Sequence, residues 1–451
     1  MGEEVVELVT RFIDDRYRAP AADYSDLEPL LASLSAPPPA SGVPLAGLLG
    51  RIEEAAGKGF DTANPGFAGY IPGGGLYAAA LADLIACSVN RYTGVSEPAP
   101  ALVQMEASVL RWLCRLFGFP DMSQGILTPG GSMANLSAIV TARTARLGES
   151  FLDGTVYVSE EAHHSIAKSA RFCGLPREAV RIVGTDESLR MDTGPLRRAV
   201  QEDRERGLRP FMVIASAGTV GTGAVDPLGP IARLAEEEGL WFHVDAAYGG
   251  FFQLTDRGRA TLEGIERADS ITLDPHKGLF LPYGTGCLLV RDAGALRAAH
   301  EVHAGYLPRP SENVELPDFA SFSPELTREY RGLRLWLPLH LHGVQAFIQA
   351  LDEKLDLARL VHDRLATLPE LQLPWPPQLS LVVFKPRGGT NEDTEALLQR
   401  VNSSNRVWLS SAPVHGETYL RLCILSHRSR PDRIEEAVRI IGSAVAGHAY
   451  P

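Results

Sequence analysis

A lysine and an aspartate, each at the carboxyl end of an apolar run, are the residues of this chain best placed to do chemistry. In SITLDPHKGLF the apolar run stops at Asp274 and a proline turn follows. His276 and Lys277 therefore stand where strand ends face a cleft. A lysine between apolar neighbours is a candidate for a depressed pKa and Schiff-base chemistry, with an ordinary loop lysine as the alternative. In LWFHVDAAYGG, Asp245 ends another run. A buried acid is costly unless something positive meets it. A protonated pyridine nitrogen would be such a partner and would make its ring an electron sink; turn amides are the alternative. His243 points to the same side of its strand as Asp245, so a Ser/His/Asp triad is conceivable, although no G-x-S-x-G elbow supplies the nucleophile. In ILTPGGSMANLSAI two glycines and a serine open a helix whose amides and dipole can receive a phosphate. Gly-Gly-Ser is equally a common helix cap, and no lysine follows to make a Walker loop. Finally, SEEAHHSIAKSA carries His163 and His164. One imidazole could stack on a flat ring, or both could be surface residues. Neither this pair nor His340 with His342 has the helix spacing or accompanying acid of a zinc motif, so no metal is expected.

The elements that must position these groups are legible as a rhythm. TVYVSE, VRIVG, FMVIASAG, LWFHVDAA, SITLDPH and GCLLVRD are nearly continuously apolar and alternate with helical segments. Such runs belong to strands covered on both faces, in an open, doubly wound, mostly parallel sheet. The stretch SLSAPPPASGVP lies as a loop or arm between two short helices, and residues 303–326 carry four prolines and break the rhythm. A long loop of that kind inside a compact enzyme is commonly a functional lid or a disordered segment. A long helical pattern from Arg334 to Leu368 precedes a last unit with strands SLVVFKP and TYLRLCIL. The expected organisation is an N-terminal arm with helices (1–95), a large α/β domain (96–326) and a smaller C-terminal α+β domain (327–451).

Composition narrows the class. The 451 residues, 45% hydrophobic and 22% charged, suit a soluble globular protein of two or three packed units. A net charge of −12 without a dense basic patch disfavours nucleic acid and anionic membranes as partners. The acidic, amphipathic start reads as neither signal nor transit peptide, and Gly2 lacks the downstream Ser or Thr of a myristoylation motif. Five scattered cysteines in apolar context read as reduced core thiols of a cytoplasmic protein.

Together the motifs resemble the group II decarboxylases that use pyridoxal 5'-phosphate (PLP), a family that includes aromatic-L-amino-acid decarboxylase. The resemblance runs from about Asn64 to His427. The family's Asn-Pro-His-Lys matches Asp274-Pro275-His276-Lys277, and its His-Val-Asp-Ala-Ala-Tyr matches His243 to Tyr248. Its Ala-His-x-Ser-(Val/Ile) matches Ala162 to Ile166, and the phosphate turn matches Gly131 and Ser132. The resemblance implies a type I PLP-dependent transferase fold and a homodimer with shared active sites. It makes Lys277 the cofactor-bearing lysine, Asp245 the partner of the ring nitrogen and His163 the stacking ring. Thr219, Ala247 and His276 join the cofactor site, and Tyr70, Pro72 and Tyr92 line the substrate pocket. Within the proline-rich segment, Tyr306-Leu307, 29 residues after Lys277, matches a pair whose tyrosine protonates Cα once CO2 has left. The implied reaction is decarboxylation of an L-amino acid, aromatic ones among the candidates, to an amine. The alternative on the same fold is oxidative decarboxylation to an aldehyde, for which relatives often carry phenylalanine in place of that tyrosine.

Three departures stand out. Asp274 replaces an asparagine beside the phosphate, where an anion must be turned away or protonated. Gly73 to Gly75 and Gly94 replace bulkier residues, implying a wider or differently lined pocket. Arg91 could anchor an acidic substrate or be a solvated surface residue. Two readings from other classes complete the set. The glycines of AGTVGTGAV suggest a nucleotide-binding oxidoreductase but have the wrong order for the dinucleotide fingerprint. A catalytically dead binding protein is the other, since fold does not dictate function.

Overall fold

The computed structural model describes residues 1–301 and 316–447. Seven strands form the main sheet: β1 (Gln124–Thr128), β2 (Gly154–Ser159), β3 (Val180–Val183), β4 (Arg209–Ser216), β5 (Trp241–Asp245), β6 (Ser270–Leu273) and β7 (Gly286–Val290). Their order is β1-β7-β6-β5-β4-β2-β3. The pairs β6–β5, β5–β4, β4–β2 and β2–β3 are parallel; β7 runs antiparallel to both its neighbours. Six of these are the runs read from sequence. The seventh, β1, follows the helix Pro100–Leu116 in a stretch expected to hold only a glycine turn. Every residue of β1, β2, β5, β6 and β7 is buried, which accounts for their unbroken apolar character.

The helix Gly131–Leu147 packs over the centre of this sheet. Its buried face is built from small residues, among them Ala134, Ser137, Ala138, Thr141 and Ala142. Short side chains let the helix axis approach the strands closely, so a residue on that face can reach the strand side chains with a polar group.

The chain divides into two compact units. One comprises Met1–Pro72, Arg359–Pro374 and Val382–Pro451; the other comprises Gly73–Ala358 and Trp375–Leu381 and holds the main sheet. Both boundaries expected from sequence, at 95/96 and 326/327, fall inside the second unit. A four-stranded sheet runs in the order Leu371–Gln372, Leu381–Pro386, Glu417–Cys423, Ser410–Val414. The long helical pattern from Arg334 is two helices, Gly332–His342 and Val344–Ala366, because Gly343 takes a φ of 72° and ends the first. Of the five cysteines four are buried; Cys87, on the helix Tyr77–Val89, is exposed, contrary to the core placement expected. No helix among the described residues is long and apolar enough to cross a membrane.

Candidate active site

Parallel neighbours share an edge, so the carboxyl ends of β6, β5, β4 and β2 bring four short segments together: 274–277, 245–248, 216–219 and 159–165. This is the edge where open α/β sheets bind ligands. Lys277 lies in a single helical turn, Pro275–Gly278, that starts directly after β6. Its Nζ is 2.9 Å from Asp274 Oδ2. Asp274 is 2% exposed, and its Oδ1 is buried without a hydrogen-bond partner. The carboxylate is thus not turned to solvent; the Lys277 ammonium meets its charge. His276 Nδ1 bonds the Thr285 carbonyl at 2.8 Å, with Nε2 3.7 Å from Asp274 Oδ2. Burial lowers the His276 pKa, Lys277 lowers it further, and Asp274 and the Thr285 bond oppose the shift.

Asp245 is held by two donors. Asn135 Nδ2 donates to Oδ2 at 2.9 Å, and the Ala247 amide donates to Oδ1 at 3.2 Å. The same Asn135 amide reaches Ser165 Oγ at 3.2 Å, and Ser165 Oγ lies 2.7 Å from His163 Nδ1. The Asn135 Oδ1 accepts from Thr272 Oγ1 at 2.7 Å and lies 3.1 Å from His243 Nε2. Behind it, His243 Nδ1 is 2.8 Å from Ser270 Oγ, which also takes the Trp241 indole N–H at 2.8 Å. Burial pushes the His243 pKa down to about 4, against the pull of Asp245. Burial also lowers the His163 pKa; Asp245 and Asp274 oppose this, while His164 and Lys277 add to it.

These contacts decide several alternatives. His243 has both ring nitrogens occupied and is wholly buried, so the triad reading fails. The glycines of 217–225 form a tight turn, closed by the Thr219 amide on the Ala224 carbonyl, and do not open a helix at once, as a dinucleotide site requires. Thr219 is 2% exposed, with its hydroxyl bonded inside that turn to Thr222 Oγ1 and the Ala224 amide. His340 lies on the Trp336 ring and bonds that residue's carbonyl. Arg91 donates to the Pro98 carbonyl on its own loop.

Lys277, His276, Asp245, Ala247, His163, Thr219, Gly131 and Ser132 all belong to the unit with the main sheet, as does Tyr92, whose hydroxyl donates to the Leu326 carbonyl at 3.0 Å. The replacements at Gly73 and Gly94 do not open space. A Cβ on Gly73 would stand 2.7 Å from the His276 carbonyl oxygen and 3.1 Å from the Tyr283 ring; one on Gly94 would stand 2.5 Å from the Leu326 oxygen. Tyr70 and Pro72 belong to the other unit. There the Tyr70 backbone is clamped by Ser410 Oγ and the buried Arg421, and its exposed ring lines a cavity of ≈ 550 Å³ with Tyr24 and Trp408. Tyr306 lies outside the described residues.

The profile of the pyridoxal-dependent decarboxylase conserved domain matches residues 32–387. The chain belongs to the pyridoxal-dependent decarboxylase family. An aromatic-L-amino-acid decarboxylase of Bacillus atrophaeus is 34% identical over 82% of this chain and 79% of its own. A phenylacetaldehyde synthase of Arabidopsis thaliana is 28% identical over 84% and 81%. The solved Oryza sativa TDC with PLP and tryptamine superposes with a TM-score of 0.93 at 26% identity, covering 99% of this chain and 97% of that one. The type I fold and the PLP cofactor expected from sequence are thereby established, as is the reaction class, PLP-dependent decarboxylation of an amino acid.

The residues present fit that cofactor. A lysine, a carboxylate held by two donors and a half-buried imidazole converge at the strand ends, as an amine-reactive aldehyde on a basic ring requires. At the opening of the helix Gly131–Leu147, a Cβ on Gly131 would come 3.0 Å from Asp274 Oδ2 and 3.3 Å from the Ala247 Cβ, so the absence of a side chain there eases a close approach to the helix's first amides. Sequence reasoning missed Asn135. The available signal was a carboxamide at the head of an apolar helical face, followed by Ala138, Ile139 and Ala142 at i+3, i+4 and i+7.

Proposed function

We propose that this decarboxylase converts an aromatic L-amino acid to its amine and CO2, acting as a cytoplasmic homodimer. The observation that carries the assignment of roles is the convergence of Lys277, Asp245 and His163 at neighbouring strand ends, with Asn135 bonded to the aspartate and, through Ser165, to the histidine. In this reading Lys277 bonds the carbonyl carbon of PLP, Asp245 meets the ring nitrogen and His163 covers the ring face. Gly131 and Ser132 offer helix amides to the phosphate; Thr219, Ala247 and His276 complete the enclosure. Bound there, PLP accepts the electron pair released when the Cα–carboxylate bond breaks. Tyr92 lines the substrate side. Tyr306, by the motif it shares with the family, delivers a proton to Cα.

The aromatic substrate class rests on the relatives' activities, which include aromatic-L-amino-acid and tryptophan decarboxylation. The dimer is supported by exposed apolar side chains in each unit, Val5 and Val6 among them. None of the residues of the amphipathic helix Gly2–Asp15 is buried, and Leu84, Ile85, Val89 and Leu341 are exposed. Two-fold dimers are the commonest solution for such surfaces. A screen of L-amino acids for CO2 release, with product identification, tests the reading. Amine from tryptophan, tyrosine or phenylalanine is the expected result. Release of CO2 only from non-aromatic substrates would overturn the substrate class; aldehyde and ammonia as main products would replace the reading with the aldehyde-synthase one.

A further inference from the structure

The hydrogen-bond chain through Asn135 can be followed proton by proton. At the far end the Trp241 indole can only donate, so Ser270 Oγ accepts from it and keeps its own proton available for His243 Nδ1. His243, neutral because it is buried, then carries its proton on Nε2, directed at Asn135 Oδ1. Thr272 donates to the same oxygen. With its oxygen taken up by two donors, the Asn135 carboxamide can present only N–H to the other side, and it does so to Asp245 Oδ2 and Ser165 Oγ. Ser165, accepting from Asn135, spends its hydroxyl proton on His163 Nδ1. The Ser165 backbone N–H, 3.3 Å away, also points at that nitrogen. The direction is set at two points: the Asp245 carboxylate can only accept, which turns the Asn135 N–H toward it and the Asn135 oxygen toward His243, and the Ser165 backbone N–H beside His163 Nδ1 requires a lone pair there.

We propose that Asn135 is a positioning residue that couples Asp245 to His163, fixing the aspartate as an acceptor and committing His163 to its Nε2–H tautomer. His163 then offers the cofactor and substrate a donor, not a base: its Nδ1 lone pair is already used, and among the described residues Nε2 has no hydrogen-bond partner. The inference deepens the site reading above, in which Asp245 and His163 are the groups facing the ring.

The test is ¹⁵N NMR of the PLP-loaded enzyme labelled at its histidine ring nitrogens. Of the twelve histidines, His163 is assigned by its absence in His163→Phe. At pH 7 we expect a pyrrole-like Nε2 and a pyridine-like Nδ1. The tautomer is read whether or not turnover is found, so a failure here is distinct from a failure of the proposed function. Asn135→Ala should give a mixture of tautomers and lower kcat at least tenfold while KM stays within about twofold, because a hydrogen bond to a charged acceptor is lost behind the ring and not at the substrate. Its effect on kcat should be less than multiplicative with that of Asp245→Asn. Ser165→Ala cuts only the last link. It should mix the His163 tautomers and spare most of kcat, and it replaces Asn135→Ala if that variant does not fold. A wild-type His163 protonated on Nδ1, or a His163 spectrum unchanged by both substitutions, would overturn the proposal.

Discussion

Asp245 and Lys277 were legible as single residues because each ends an apolar run, and only strand ends combine burial with access to a ligand. Their consequences are testable one side chain at a time. Lys277→Ala should abolish both turnover and the borohydride-reducible linkage to PLP; reduced cofactor on a different lysine would reassign the role. Asp245→Asn removes a charge held by two donors, the one proposed to meet the ring nitrogen. It should slow turnover by more than tenfold, a barrier increase above about 1.4 kcal/mol, with a smaller effect on PLP affinity; steady-state rates beside a PLP titration decide it. Tyr306→Phe keeps the ring and removes the phenol, so the variant should release aldehyde, ammonia and peroxide in air where wild type makes amine. Product analysis showing the same amine would leave Tyr306 with packing alone. Asn135 escaped sequence reasoning for a physical reason. Its importance lies in partners on two strands and a neighbouring helix, and no spacing along the chain records them.

Among the elements, six of the seven main strands announced themselves as apolar runs; burial on both faces accounts for all of them except the edge strand β3, whose Ile182 is exposed. Strand β1 did not, since Gln124 and Gly125 dilute a run of only five residues that leads straight into a glycine turn. The long helical pattern after Arg334 concealed its break because a single glycine is compatible with a helix until its φ is known. The interface between the helix Gly131–Leu147 and strands β5 and β6 also has a pH signature. His243 is neutral in the fold, with a pKa of about 4 against an ordinary value of 6.5. Because the folded pKa is depressed, the unfolded chain binds the proton more readily. The stability carried by the neutral ring is present above pH 6.5 and is lost as pH falls toward 4. At pH 5 the loss is about 2 kcal/mol relative to pH 7. Chemical denaturation at the two values should show it, and His243→Gln should flatten the difference.

For the whole molecule, the chain order misled where contacts are long-range. Residues 1–72 belong with 382–451 in one compact unit, a grouping no linear reading of composition supplies. Within it the Ala21 amide bonds the Asn405 carbonyl, and the Asn64 side chain gathers the carbonyls of Arg16, Ala19 and Pro20. The amphipathic helix Gly2–Asp15 nevertheless buries none of its residues fully: Val5 and Val6 are exposed, and Leu8, Val9, Phe12 and Ile13 are half-buried. A second copy of the chain is the partner expected to cover such a face. Sedimentation should therefore give about twice the 48.8 kDa chain mass, and activity should fall on dilution below the dissociation constant of the dimer. A monomer fully active at nanomolar concentration would contradict the shared-site dimer.

The close approach of Gly131 to Asp274 links two positions that lie 143 apart in sequence and have different duties. A methyl group at 131 would press on the carboxylate at 274, and that carboxylate is paired with Lys277. A side chain at 131 asks the carboxylate at 274 to give by a few tenths of an ångström, and any such movement is drawn from its ion pair with Lys277, so steric room at one position is tied to charge pairing at the other.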